Sequence, residues 1–84
     1  MDNSLVLIGY VKASKYRIEL LKKLIEKSFT PTELANLTKI NKGHVSRTLK
    51  ELCEKKLVDC GNKEAKKGRM YIITETGKKT IKEL

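Results

Sequence analysis

One stretch, from Thr30 to Arg69, limits the folds open to this chain more than any other part of the sequence. It opens with a helix start signal, in which Thr30 can cap the helix, Pro31 suits the first helical position and Glu33 completes a capping box. A tight turn, a second helical pattern, an apolar tetrapeptide and a lysine-rich loop follow in that order. This order predicts two helices joined by a short turn, followed by a β-hairpin.

The second helix of the pair is predicted over about residues 42–56, with Asn41 as its N-cap. Apolar side chains at positions i, i+4 and i+7 form the side predicted to be buried: Val45, Leu49 and Leu52. On a helical wheel of about 100° per residue, the opposite side carries Gly43, Arg47 and Lys50. One side of this helix can therefore pack on the domain while the other faces outward.

Further elements flank this pair. A helix over about residues 15–27 is predicted to start at Ser14 and to bury Ile18, Leu21, Leu24 and Ile25. The helix after Thr30 is predicted to bury Leu34, Ala35 and Leu37. We expect strands at 57–60 and 70–73 and a last helix at 75–83, capped by Thr74. The apolar segment LVLIGYV before Ser14 fits either a helix or a strand, and is too short to span a bilayer, which needs about 20 residues.

These elements predict an α+β fold, mainly α, of the winged helix-turn-helix type. It would have a three-helix core, a two-stranded β-hairpin wing and a C-terminal helix. We expect a single DNA-binding domain over residues 1–84, in which residues 1–13 form an apolar N-terminal extension. That extension must pack across the domain or against a second subunit.

The charge is high and unevenly distributed. The net charge is +9 over 84 residues. Residues 1–38 carry six basic and four acidic groups (net +2), whereas residues 39–84 carry thirteen basic and six acidic groups (net +7). A solvated lysine-rich surface would predict no particular location for this excess, yet it lies with the outward helix face and the loop. The charge therefore favours double-stranded DNA as the partner.

Other functional classes find little support in the sequence. The two cysteines, Cys53 and Cys60, form no metal-binding spacing, and His44 is the one histidine, so we expect no metal and no cofactor. Two buried small side chains are the simplest interpretation of the cysteines, with redox sensing as the alternative. No catalytic constellation or signal peptide is present, so we expect a cytoplasmic protein that is not an enzyme.

The predicted outward helix face supplies the candidate DNA contacts. Arg47 is the best candidate for reading a base, because its guanidinium can bond two acceptors on guanine; a surface ion pair with Glu51 is the alternative. Ser46 suits a phosphate contact, and His44 suits a base or a phosphate, although both also fit as exposed bystanders. Gly43 either permits close approach to DNA or relaxes the helix entry. The remaining candidates on this helix are Lys42 and Lys50.

The loop between the predicted strands supplies the second set of candidates: Lys63, Lys66, Lys67 and Arg69. Flexible basic residues at a hairpin tip suit contacts with phosphates or with the minor groove. Gly68 would let the hairpin bend back, and Asn62 and Glu64 are predicted to form the turn rather than to contact DNA.

Several motifs together resemble a known family: SKYR at 14–17, TPTELANLTKINKGHVSRTLKEL at 30–52, KKLV at 55–58 and KKGRMYIITETGKK at 66–79. Their order and spacing resemble archaeal winged helix-turn-helix transcriptional regulators of the ArsR/MarR-like type, over about residues 14–79. The resemblance implies that the DNA-contacting helix includes Asn41, Lys42, Gly43, His44, Ser46 and Arg47, and that the wing includes Lys66, Lys67 and Arg69. Lys56 stands where the family often has glycine, and the ArsR-type metal motif is absent, so metal sensing is not implied.

Three hypotheses follow. The leading one is a homodimeric, sequence-specific transcriptional regulator whose dimer uses the LVLIGYV segment, the first long helix or the last helix. A sequence-tolerant architectural protein is the second, favoured by sixteen lysines against three arginines. The third is a protein-interaction module of the same fold. A small-molecule effector is compatible with the first hypothesis, but no motif in the sequence indicates which ligand would bind.

Overall fold

The computed structural model describes residues 4–62, 64 and 68–84. In this part of the chain, five helices and two strands follow one another: α1 Ser4–Lys12, α2 Lys15–Glu26, α3 Pro31–Thr38, α4 Lys42–Glu54, β1 Val58–Cys60, β2 Tyr71–Ile73 and α5 Glu75–Lys82. The helices α2, α3 and α4 pack on one another, and β1 and β2 form an antiparallel hairpin in which Val58 pairs with Ile73. The predicted winged helix-turn-helix fold is therefore confirmed.

The predicted helix starts are confirmed at four positions. In each, the side-chain oxygen of the N-cap accepts a hydrogen bond from a backbone amide two or three residues further on: Ser14 from Arg17 (3.4 Å), Thr30 from Glu33 (3.2 Å), Asn41 from Gly43 (2.8 Å) and Thr74 from Gly77 (3.0 Å). At Thr30 the Glu33 carboxylate also accepts from the cap amide, at 2.9 Å, which completes the capping box.

The prediction that Ile25 and Leu37 are buried is wrong. Ile25 is 43% exposed and Leu37 is 50% exposed, whereas Leu20, which the spacing did not select, is completely buried. The buried stripe of α2 runs through Leu20, Leu21 and Leu24, and on a helical wheel Ile25 lies beyond its edge, roughly 90° from its centre. The short α3 reaches the core through Leu34, with Ala35 half-buried, and its remaining apolar side chain faces outward.

The N-terminal apolar segment forms a helix rather than a strand. This helix, α1, packs against α2 and α5, and Val11 is its fully buried residue. On the other side of the molecule, Phe29 and Tyr71 exchange two backbone hydrogen bonds (3.3 and 2.8 Å), which ties the α2–α3 connection to the hairpin. None of the described helices combines the length and the apolar character needed to cross a membrane.

The second helix of the pair ends earlier than predicted. It stops at Glu54 rather than near residue 56, because Lys55 caps it and Lys56 adopts a left-handed conformation with φ of 62°. The chain then reverses, and the Leu57 amide donates to the carbonyl oxygen of Leu52 at 3.0 Å. A lysine thus occupies a conformation that favours glycine.

Candidate nucleic-acid interface

Helix α4 separates its residues into a packed side and an outward side. Val45, Thr48, Leu49 and Leu52 are buried. All seven predicted DNA-contact residues at this helix are exposed: Asn41, Lys42, Gly43, His44, Ser46, Arg47 and Lys50. We call these seven the recognition face. Because no buried residue belongs to it, the recognition face can contact a partner without disturbing the core.

The turn between α3 and α4 is held by local hydrogen bonds. The Thr38 hydroxyl donates to the carbonyl oxygen of Leu34 at 2.6 Å and accepts from the Ile40 amide at 3.3 Å. Lys39 adopts a left-handed conformation with φ of 63°, and its amide donates to the carbonyl oxygen of Ala35 at 2.9 Å. With Ile40 buried beneath the turn, the angle between the two helices is fixed.

The N-terminus of α4 is compact and electropositive. A Cβ atom at Gly43 would lie 3.0 Å from Oδ1 of Asn41, the oxygen that caps the helix, so glycine keeps this cap uncrowded. The unpaired amides of a helix N-terminus attract anions. Lys42, one residue after the cap, adds a full positive charge.

Arg47 does not form the ion pair with Glu51 that was the alternative to a role in base reading. Glu51, one turn further along α4, pairs instead with Arg17 of α2, with 3.4 Å between Nη2 and Oε1. In the described part of the chain the structure gives Arg47 no ion pair, and its side chain is exposed. Its guanidinium therefore projects from the recognition face.

One aromatic residue beside the recognition face was missed by the sequence interpretation. Tyr16 of α2 meets His44 edge to face, with 5.6 Å between ring centroids and 60° between ring planes. The SKYR motif at 14–17 includes this tyrosine, but the motif alone does not indicate what the side chain contacts. Its position follows from the packing of α2 on α4, which local sequence does not reveal.

At the base of the wing, residues 61–69, Asn62 holds the two sides of the turn together, as predicted. The Asn62 side chain accepts from the Met70 amide at 2.7 Å and donates to the carbonyl oxygen of Gly68 at 3.2 Å. Gly68 has φ of 68°, which allows the chain to turn back. Arg69 is exposed at the base of the wing, whereas Lys63, Lys66 and Lys67 lie outside the described residues.

A second concave surface lies away from the recognition face. It is an open groove of about 1000 Å³ between α1, the end of α4 and α5. Its α1 wall includes Leu5 and Val6, which are 81% and 70% exposed, and its other walls include Lys56, Lys79 and Lys82. Among the described residues, no cluster of metal-binding side chains is found there or elsewhere, and Cys53 and Cys60 are half-buried thiols rather than disulfide partners.

The sequence matches the family model described as "Bacterial regulatory protein, arsR family" over residues 14–60. The chain belongs to the arsR family. Its match includes α2, α3, α4 and β1, so the recognition face lies within the part that defines membership. As a member of the arsR family, the protein is a DNA-binding transcriptional regulator, which favours a regulator over the architectural and docking alternatives.

Solved structures agree with this arsR-family fold. The transcriptional repressor BigR from Xylella fastidiosa has a TM-score of 0.80 at 23% identity, with 96% of this chain and 79% of that chain covered. The homodimeric DNA-binding domain of Mb0332 from Mycobacterium bovis has a TM-score of 0.73 at 20% identity, covering 96% and 71%.

A mutant MarR from E. coli, complexed with operator DNA, has a TM-score of 0.72 at 21% identity, covering 96% of this chain and 61% of that chain. The arsR-family chain thus spans less than two thirds of MarR. Among proteins with curated descriptions, none matches the sequence.

Proposed function

We propose that the protein binds duplex DNA as a homodimer, with the recognition face of α4 in the major groove of each half-site and the wing on the backbone or in the minor groove. The observation that best supports this proposal is that α4 has two distinct sides. Its exposed side is polar and basic, and its other side packs against α2 and α3. A groove-entering helix needs both properties, because its apolar back fixes the angle at which it reads the bases.

Arg47 is the proposed base reader. Arg47 is exposed, and Glu51 pairs with Arg17 instead of Arg47. Both observations support the proposal that the Arg47 guanidinium can donate two parallel hydrogen bonds to guanine. Around it, Lys42, Ser46 and Lys50 are proposed phosphate contacts, and His44 a contact with a base or a phosphate. Asn41 and Gly43 are proposed to lie close to a phosphate oxygen at the electropositive helix N-terminus, where the Asn41 side chain caps the Gly43 amide.

The wing is proposed to add non-specific affinity. Arg69 is exposed, and Lys63, Lys66 and Lys67 contribute to this proposal by their charge alone. Each phosphate that such a side chain neutralises releases a counterion, so affinity should fall steeply as salt rises.

The dimer is proposed to form through α1 and α5. Leu5 and Val6 are strongly exposed apolar side chains beside an open groove, and a chain of this length gains from burying them against a second copy. Substitution Leu5→Glu should shift the protein from dimer to monomer in sedimentation. The matched control Ile25→Glu, at an exposed apolar residue of α2, should leave the dimer intact. A dimer unaffected by Leu5→Glu would place the interface elsewhere.

Selection from a random duplex library at about 150 mM salt tests the function directly. An inverted repeat with half-sites about one helical turn apart is the expected result. Arg47→Ala should then relax preference at one base pair by about 1–3 kcal/mol. Binding without any enriched motif would instead indicate an architectural protein, and absence of binding at low salt a docking module. The cytoplasmic location and the archaeal origin stay predictions.

A further inference from the structure

Tyr16 occupies a position that the core does not require. It is the second residue of α2 and is 39% exposed, whereas α2 packs on the core through Leu20, Leu21 and Leu24. A large aromatic side chain left half in solvent usually has its ring against apolar neighbours and its hydroxyl toward a polar partner. In the part of the chain that the structure describes, no hydrogen bond is made by this hydroxyl.

The neighbour of Tyr16 is the recognition face itself. Its ring meets the ring of His44, with 5.6 Å between centroids, and His44 is the third residue of α4. The N-terminal end of a recognition helix is the end that lies deepest among the base edges. The major groove is about 12 Å wide. The Tyr16 ring lies 5.6 Å to the side of His44, so with α4 in the groove Tyr16 would lie near one of the two phosphate strands that border it.

The charge around Tyr16 suits a polyanion. Lys12 and Lys15, which lie just before it in the sequence, are both exposed. Ser14 is already used as the cap of α2, accepting from the Arg17 amide. The phenol is therefore a neutral donor at this end of α2, close in sequence to two exposed cations.

We propose that Tyr16 donates a hydrogen bond from its hydroxyl to a phosphate oxygen at the edge of the half-site, while its ring positions His44. This inference rests on the proposed function, since it requires α4 to enter the groove. It extends the interface from α4 and the wing to a third element, α2. Contacts of this kind fix the register of the protein on DNA and carry no base preference themselves.

Substitution Tyr16→Phe tests the contact, because it keeps the ring against His44 and removes the hydroxyl. Dissociation constants would be measured by fluorescence anisotropy for the selected duplex and for an unrelated duplex of equal length. We expect about a three- to tenfold loss on both duplexes. The slope of affinity against salt should not change, because a neutral donor displaces no counterion. The matched control Tyr71→Phe removes a hydroxyl from β2, whose tyrosine packs against the core, and should bind like the unaltered protein.

The outcomes separate this inference from the proposed function. If the unaltered protein binds the selected duplex and Tyr16→Phe binds both duplexes equally well, the phosphate contact is overturned while the function stands. A loss confined to the selected duplex would mean that Tyr16 reads a base, which also overturns the assignment. If the unaltered protein binds neither duplex at low salt, the proposed function fails and the role of Tyr16 fails with it.

Discussion

The guanidinium of Arg17 lies 3.7 Å from the centre of the Tyr10 ring. The same guanidinium donates to the Tyr10 carbonyl oxygen at 2.7 Å and pairs with Glu51 at 3.4 Å. One side chain thus joins α1, α2 and α4. Burial raises the pKa of the Tyr10 phenol, so the ring under the cation is neutral at physiological pH. The helix proposed for dimer formation is therefore tied to the helix proposed for DNA reading.

Substitution Arg17→Ala should lower the free energy of unfolding by about 1–3 kcal/mol, because it removes the bond to a half-buried carbonyl and the contact with the Tyr10 ring. The pair with Glu51 adds little to this, since the Glu51 side chain is 41% exposed. Urea denaturation at fixed protein concentration would measure the loss. Arg17→Lys keeps the charge but loses the planar stack, so its loss should be intermediate. A change below about 0.5 kcal/mol for Arg17→Ala would contradict this role.

Gly77 and Gly9 should respond oppositely to alanine. A Cβ atom at Gly77 would overlap the carbonyl oxygen of Leu57 and come within 2.7 Å of Cγ1 of Ile73, so Gly77→Ala should push α5 away from the hairpin. We expect a loss of about 2 kcal/mol or more. At Gly9, in α1, a Cβ atom would meet nothing within 4 Å, and Gly9→Ala should stabilise by up to about 1 kcal/mol. Thermal unfolding of both variants provides the comparison, and equal behaviour would refute it.

Lys56→Gly should stabilise the protein by up to about 1 kcal/mol, because glycine adopts the left-handed conformation observed there without the steric cost borne by lysine. Its neighbour Lys55, with φ of −88°, is the matched control. Lys55→Gly relieves no strain and adds freedom to the unfolded chain, so it should destabilise. Guanidinium denaturation curves for the two variants should shift in opposite directions.

Asn62→Ala should loosen the wing while leaving the rest of the fold in place. Its side chain bridges the Gly68 carbonyl and the Met70 amide across the hairpin. In the variant, hydrogen exchange at the Met70 amide should speed up by about tenfold, which corresponds to the loss of one hydrogen bond. The Tyr71 amide, which donates to Phe29 at 2.8 Å, should keep its protection. Acceleration at both amides would mean that Asn62 supports the sheet as a whole.

Helix starts could be predicted from sequence because their cause is local. Ser14, Thr30, Asn41 and Thr74 each cap a helix within two or three residues of themselves, so the pattern needs no knowledge of the tertiary fold. The buried stripe of α4 was equally accessible, since Val45, Leu49 and Leu52 leave one possible inward side. The exposed site residues on that helix followed from the same division.

The remaining features depend on distant parts of the chain. Arg17 meets Glu51 across a separation of 34 residues, and no local pattern selects that partner over Arg47. The exposure of Ile25 and Leu37 reflects how far neighbouring helices extend over α2 and α3, which periodicity does not define. The position of Tyr16 beside the recognition face was not predicted for the same reason, because it depends on the contact with His44 on another helix.

The two sides of α4 share no residue, and this has an evolutionary consequence. Substitutions among the outward side chains, such as Ser46 and Arg47, leave the packing of Val45 and Leu49 untouched. Mutations at those exposed positions are therefore close to neutral for folding. If those side chains read the operator as proposed, a lineage carrying this domain can change its operator in single steps, each of which preserves a folded protein.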